Sequence, residues 1–145
     1  MSSVFPDFSW PADDSPAGAV LYIAGTIVLT VWMRRKEFGQ GRRAAGIATL
    51  DLLSSISLAI PALSHWNTTL GARLGDGMLR LLFGFGVLGL LGFVVHDAGV
   101  MLRHPRLSEH QRRRFAAIGA AAALLPSVPE VWWGGLALAH VYALP

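Results

Sequence analysis

The sequence lacks cysteine and has few charged residues. Of its 145 residues, 14% are charged and 53% are hydrophobic, and the mean hydropathy is +0.49. The lack of cysteine excludes disulfides, thiolate metal sites and thiol nucleophiles. Soluble domains average about 25% charged residues. This deficit, together with several long apolar runs, predicts an integral membrane protein with room for about four spans and short loops.

The longest apolar run covers residues 78–102 and carries His96 and Asp97 near its end. At about 1.5 Å per residue, a helix of this length extends about 37 Å, which exceeds the ~30 Å hydrocarbon core of a bilayer. We predict that this run crosses the membrane as a helix. Two further spans are predicted at 17–33 and 44–64, and a fourth helix is predicted to begin near Ser108, which forms a capping-box pattern with Gln111.

Two prolines, Pro126 and Pro129, interrupt the fourth span. We favour a kinked span that ends near Trp133, with the remaining residues lying at the membrane surface. The alternative is a longer broken helix that bends at the prolines. The predicted fold class is therefore an all-α polytopic membrane protein, a bundle of four transmembrane helices with short loops. An acidic extramembrane tail, 1–16, precedes a single transmembrane domain, 17–145.

The basic residues predict the orientation of this bundle. Ten of the twelve lie in two clusters between apolar runs, namely Arg34, Arg35, Lys36, Arg42 and Arg43, and Arg103, Arg106, Arg112, Arg113 and Arg114. The positive-inside rule places both loops, 34–43 and 103–114, in the cytoplasm and both termini outside. We interpret the residues at 34–36 and 112–114 as anchors at the membrane surface. The clustered charge favours membrane lipid as the partner and argues against nucleic acid.

Four ionisable residues within the predicted spans are candidates for a proton or cation pathway, because each such group costs at least ~2.5 kcal/mol in a bilayer. Asp51 and Asp97 are predicted at similar depth, roughly 9–12 Å from the cytoplasmic boundary. Two acids that meet there cannot both stay charged, so one would hold a proton or a cation. His96 would modulate Asp97, and Glu130 would lie at the outer mouth.

A purely structural role for the same acids is the alternative. In that interpretation Asp51 bonds to Ser54, to Ser55 or to another helix, Asp97 pairs with Arg103 or Arg35, and Glu130 is hydrated.

His96 also suggests a b-type haem. Such a haem in a helix bundle needs two imidazoles that face each other, with small residues making room for the ring. Gly92 and Gly99 share a helical face with His96. The other histidines fit less well, because His65 and His140 are predicted toward the opposite side and His104 and His110 in a basic loop. A haem shared with another subunit is compatible with this pattern.

Small residues give a third interpretation. Gly89, Gly92 and Gly99 share a face of the third span, and Ala48 and Ser55 share a face of the second. Such faces let helices approach closely in lipid. Without a phosphate loop, a metalloprotease motif or a nucleophile elbow, we do not predict an enzyme. The leading hypothesis is an accessory or assembly subunit of a larger membrane complex. A transporter or channel, as a homo-oligomer, is second, and a haem-bearing electron-transfer subunit is third.

Overall fold

The computed structural model describes residues 14–142, except for the side chains of Pro126 and 139–142. Most of the predicted tail and the side chain of His140 therefore lie outside the described residues. The elements in order are α1 (Pro16–Met33), α2 (Arg35–Phe38), α3 (Arg42–Ser64), α4 (Thr68–Leu102), α5 (Glu109–Leu124), a 3-10 turn (Leu125–Ser127) and α6 (Val128–Tyr142). Residues 14–142 contain no strand, and the all-α prediction is confirmed.

Within residues 14–142, three helices are long and apolar enough to cross a membrane, namely α1, α3 and α4. The bent pair α5 and α6 adds a fourth candidate if the two helices form one span. Large apolar side chains cover the outside of these helices. Leu88 and Val95 of α4 are each 71% exposed, and Val28 of α1 is 67% exposed. Apolar surface on this scale is typical of a protein whose solvent is lipid.

Local capping explains where two of the helices begin. Ser15 Oγ accepts a hydrogen bond from the Gly18 N–H at 3.1 Å, and α1 starts with a proline, whose fixed φ suits the first helical position. At α5, Ser108 Oγ accepts from the Gln111 N–H at 3.3 Å, and Gln111 Oε1 accepts from the Ser108 N–H at 3.1 Å. The predicted capping box is confirmed.

The third predicted span begins earlier than residue 78. Helix α4 is 35 residues long and starts at Thr68, where Asn67 Oδ1 accepts from the Leu70 N–H at 2.9 Å. Gly75 interrupts it with φ 74° and ψ 161°, a conformation that only glycine adopts readily. The first segment of α4, which begins at Thr68, is more polar than the apolar run, so hydropathy did not detect it. The Asn67 cap and the break at Gly75 define its two ends.

Helix α3 forms the centre of the bundle and packs against α1, α4 and α6. It is the most buried of the three spans, whereas α1 is the least buried. Two glycines bring α4 close to it. A Cβ at Gly86 would lie 2.6 Å from Leu58 Cγ, and a Cβ at Gly89 would overlap the Ser54 hydroxyl. The α3–α4 contact therefore depends on glycine at both positions.

The fourth candidate span consists of two helices joined at a bend. Helices α5 and α6 meet at 47° across the 3-10 turn, which contains Pro126, and Pro129 lies in the first turn of α6. A proline in a first turn is tolerated because its missing N–H has no intrahelical acceptor. Helix α6 continues past Trp133 to Tyr142, and the end of the span near Trp133 stays a prediction. The bend lies at Pro126 and Pro129, where both interpretations of the sequence placed it.

Candidate functional site

A mostly buried ion pair joins the C-terminal cap of α1 to α3. Arg34, which caps the C-terminus of α1, donates from Nε to Asp51 Oδ2 at 2.8 Å. The two side chains are 22% and 10% exposed. The guanidinium also lies 4.2 Å from the centre of the Phe93 ring and 3.9 Å from Glu37 Oε1. Burial of these charges is sustained by pairing and by the aromatic face.

This pairing fits the structural interpretation of Asp51, in which the carboxylate bonds to another helix, here through the residue that caps α1. Arg34 was predicted as a surface anchor, yet its head group turns into the bundle. Ser54, a proposed partner of Asp51, instead donates its hydroxyl to the Leu50 carbonyl at 2.7 Å. The signal that sequence reasoning missed is position, because Arg34 is the cluster residue nearest to the apolar run of α1.

A small cavity of about 140 Å³, the inner cavity, lies beside this ion pair. Asp51 and Glu130 both line it, although the sequence placed Glu130 at the outer mouth. Arg34 and the hydroxyl-bearing residues Thr26, Thr30, Ser55 and Ser127 complete its polar lining. Water occupies about 30 Å³ per molecule, so the volume and polarity suit a few bound waters.

A larger cavity of about 770 Å³, the basic cavity, lies between the start of α3 and the end of α4. Its charged or titratable lining residues are Arg34, Glu37, Arg43, His96, Asp97 and Arg103. His96 Nδ1 is buried and lies 3.6 Å from Asp97 Oδ1, too far for a hydrogen bond. Arg34 and Phe93 line both cavities, so the inner and basic cavities adjoin at this pair.

The predicted meeting of Asp51 and Asp97 does not occur. Asp51 lines the inner cavity, and Asp97 lines the basic cavity with its side chain 52% exposed. Within the described chain, Asp97 also forms no ion pair with Arg103 or Arg35. The two acids line neighbouring cavities, but their side chains point into different ones.

The histidines whose side chains the structure describes do not assemble around His96. Of the side chains that line the basic cavity, none is a second imidazole. His65 packs 5.1 Å from the ring of Trp133, and His104 Nδ1 accepts a hydrogen bond from the Arg106 N–H at 3.3 Å. The haem-ligand role of His96 stays a prediction.

The predicted glycine face is divided among three environments. Gly89 packs against Ser54, Gly92 faces open space, and Gly99 lines the basic cavity. On α3, Ala48 is 1% exposed and Ser55 lines the inner cavity. The second tight glycine, Gly86, was missed, although its spacing of three from Gly89 was visible.

The remaining predicted anchors lie at the surface. Arg35 lies 5.4 Å from the ring centre of Trp32. Arg112 donates to the Leu107 carbonyl at 2.9 Å, and Arg113 pairs with Glu109 at 2.6 Å. Lys36 and Arg114 are exposed. Their role in membrane attachment stays a prediction.

No protein-family profile, curated protein or solved structure matches this chain. The part of the chain that the structure describes is all-helical. Three of its helices, or four spans with the bent pair, are long and apolar enough to span a membrane.

Proposed function

We propose that this chain is a small accessory or assembly subunit that crosses the membrane four times and docks α4 against a transmembrane helix of a larger complex. The observation that carries the proposal is a stripe on α4, the α4 outer face, formed by Leu81, Gly84, Leu88 and Gly92. These residues recur at three- and four-residue spacing and so share one side of the helix.

The two glycines of this face, Gly84 and Gly92, do not pack against another helix of the described bundle. A Cβ at Gly84 or Gly92 would meet no atom within 4 Å, whereas Leu81 and Leu88 are 70% and 71% exposed. Alternating large and small residues form knobs and hollows that suit another helix. In lipid, glycine lets two backbones approach, so dispersion contacts favour association. Gly86 and Gly89 use the same device on the opposite side of α4, toward α3.

Arginines from both clusters support the proposed orientation. Arg34 and Arg43 of the first cluster line the same cavity as Arg103 of the second. Both basic loops therefore lie at one end of the bundle. With four spans, the positive-inside rule places loops 34–43 and 103–114 in the cytoplasm and both termini outside.

The chain's lack of cysteine allows a direct test of the subunit role. Gly84→Cys and Gly92→Cys, each in the otherwise unchanged chain, are cross-linked in the native host membrane with a thiol-to-amine reagent. We expect both to give the same adduct with another membrane protein. Val28→Cys on α1 is the control, since it is 67% exposed on another helix and gives no such adduct. An adduct of two copies supports a homo-oligomer instead, and no adduct at either glycine contradicts the proposal.

Steric blocking gives an independent test. Gly92→Leu fills the hollow and is expected to release the chain from its complex in mild detergent. Gly25→Leu is the matched control, because a Cβ there also meets no atom within 4 Å but on α1. Equal release by both variants would show that the α4 outer face is not the interface.

A proton pathway is the second candidate, and the adjoining cavities favour it. Asp51 and Glu130 line the inner cavity, His96 and Asp97 line the basic cavity, and Arg34 lies between them. Proton flux into liposomes tests this role. Asp51→Asn and Glu130→Gln are expected to abolish flux, whereas the exposed Asp76→Asn leaves it unchanged. Flux that survives both changes removes these acids from any pathway.

A further inference from the structure

The basic cavity is lined by three arginines and by two acids, Glu37 and Asp97, and Asp97 lies beside His96 rather than an arginine. Arg34 is engaged by Asp51 and lies near Glu37. The side chains of Arg43 and Arg103 also line the cavity, yet neither forms an ion pair or a hydrogen bond within the described chain. Two guanidinium groups on neighbouring helices offer the forked donors that bind phosphate oxygens.

The start of α3 adds backbone donors at the same place. Gly41 precedes the helix with φ 104°, and no side chain caps the first turn. Ala44 from this turn lines the cavity. Uncapped N–H groups and the positive end of the helix dipole favour an anion, here beside Arg43 rather than alone.

Two buried polar atoms in the cavity have no hydrogen-bond partner. They are Glu37 Oε2 and His96 Nδ1, the two such side-chain atoms in the part of the chain that the structure describes. Both residues line the basic cavity. A buried polar atom without a partner costs about 1–3 kcal/mol. A carboxylate oxygen accepts hydrogen bonds, and no arginine of the cavity donates one to Glu37 Oε2. A ligand with a hydroxyl group would supply that missing donor.

Apart from Gln40, the rest of the lining is apolar, and it continues to the outside of the bundle. Ile47 of α3 and Phe93 of α4 form its walls, and Val95 and Val100, 71% and 55% exposed, lie at its edge. The cavity volume of about 770 Å³ falls in the usual range for small-ligand sites, roughly 300–1,000 Å³. A polar group among the arginines with a hydrocarbon chain beside the valines matches both parts of this lining.

We propose that the basic cavity binds an anionic phospholipid with a hydroxylated headgroup, of the phosphatidylglycerol type. Arg43 and Arg103 hold the phosphate, and Glu37 accepts a hydrogen bond from a headgroup hydroxyl. An acyl chain leaves between α3 and α4. The surrounding clusters disfavour an ammonium headgroup, because each contains five basic residues and one acidic residue. This site does not depend on the α4 outer face, which ends at Gly92.

The test uses the full chain in detergent, titrated with phosphatidylglycerol and monitored by native mass spectrometry. The double variant Arg43→Gln, Arg103→Gln is expected to lose at least about tenfold in affinity, since hydrogen bonds to charged groups contribute about 1.5–3 kcal/mol each. The control is Arg42→Gln, Arg114→Gln, which removes the same charge from exposed positions outside the cavity. We expect the control to stay within about twofold of wild type.

Further arms separate the sources of the ligand chemistry. Glycerol phosphate and inorganic phosphate are expected to bind far more weakly than the lipid, and equal binding overturns the assignment to lipid. Phosphatidylethanolamine bound as tightly as phosphatidylglycerol overturns the headgroup assignment. Equal loss in cavity and control variants overturns the site itself. Arg43→Lys keeps the positive charge but removes the paired N–H donors of the guanidinium, and it tests the site if the double variant fails to fold. Unchanged lipid affinity in Arg43→Lys counts against bidentate binding of the phosphate.

Discussion

The ion pair between Arg34 and Asp51 supports the sharpest stability prediction. Asp51→Leu removes the carboxylate that accepts from Arg34 Nε at 2.8 Å. The guanidinium then stays against the Phe93 ring, with Glu37 at 3.9 Å as the remaining acid. Its side chain is 22% exposed, so water reaches it only in part. The variant therefore leaves a mostly buried cation without its main partner.

The expected cost follows from this geometry. Removing one partner of a buried ion pair typically destabilises a protein by about 3–5 kcal/mol. Glu37 and water at the partly exposed side chain still stabilise the charge of Arg34. We therefore expect Asp51→Leu to destabilise the chain by about 3 kcal/mol, the lower end of that range. Replacing both residues with apolar ones, Arg34→Met with Asp51→Leu, is expected to recover stability to within about 1 kcal/mol of wild type, since no charge is then left unpaired.

Reversible unfolding in mixed micelles, followed by far-UV circular dichroism, measures both effects as a double-mutant cycle. The control is Arg113→Gln, which breaks the exposed pair with Glu109 and is expected to change stability by less than about 0.5 kcal/mol. The reasoning is refuted if Asp51→Leu costs no more than this control, or if the double variant is as unstable as the two single variants added together.

Three further predictions concern packing, capping and pH. Gly89→Ala is expected to destabilise the chain by about 1–3 kcal/mol, because the new Cβ overlaps Ser54. Gly92→Ala places its Cβ in open space and is expected to be neutral or stabilising by up to about 1 kcal/mol. Thermal unfolding measures both variants. Ser108→Ala is expected to cost about 1 kcal/mol and to fray the start of α5, measured by hydrogen exchange. Asp14 accepts hydrogen bonds from the start of α4, first from the backbone N–H of Thr69, and these lower its pKa from 3.8. The contribution of Asp14 to stability is therefore complete above pH 3.8 and is lost as the pH falls through the lowered pKa. Asp14→Asn is expected to flatten the acid limb of a stability profile.

Each of these has a contrary outcome. Equal stability of the Gly89 and Gly92 variants would mean that α3 and α4 are farther apart than the structure places them. Unchanged exchange at α5 after Ser108→Ala would show that the capping box does not determine where the helix begins. An acid limb that persists unchanged in Asp14→Asn would assign the pH dependence to other carboxyl groups.

The sequence by itself determined the helical fold class, because apolar runs longer than the bilayer core and local caps act within a few turns of the chain. The span at 17–33, the central helix at 44–64 and the capping box at Ser108 were all readable in this way. The bend at Pro126 and Pro129 was also readable, since a proline in a helix breaks the same local hydrogen bonds in any context.

Tertiary structure alone decided which polar groups meet. Hydropathy placed Asp51 and Asp97 at similar depth, but depth does not specify the rotation of a helix about its axis. That rotation is determined by the close approach of α4 to α3 at Gly86 and Gly89, a contact between residues far apart in the chain. It turns Asp51 toward Arg34 and leaves Asp97 facing the basic cavity, because side-chain partners in a bundle depend on helix packing rather than on local pattern.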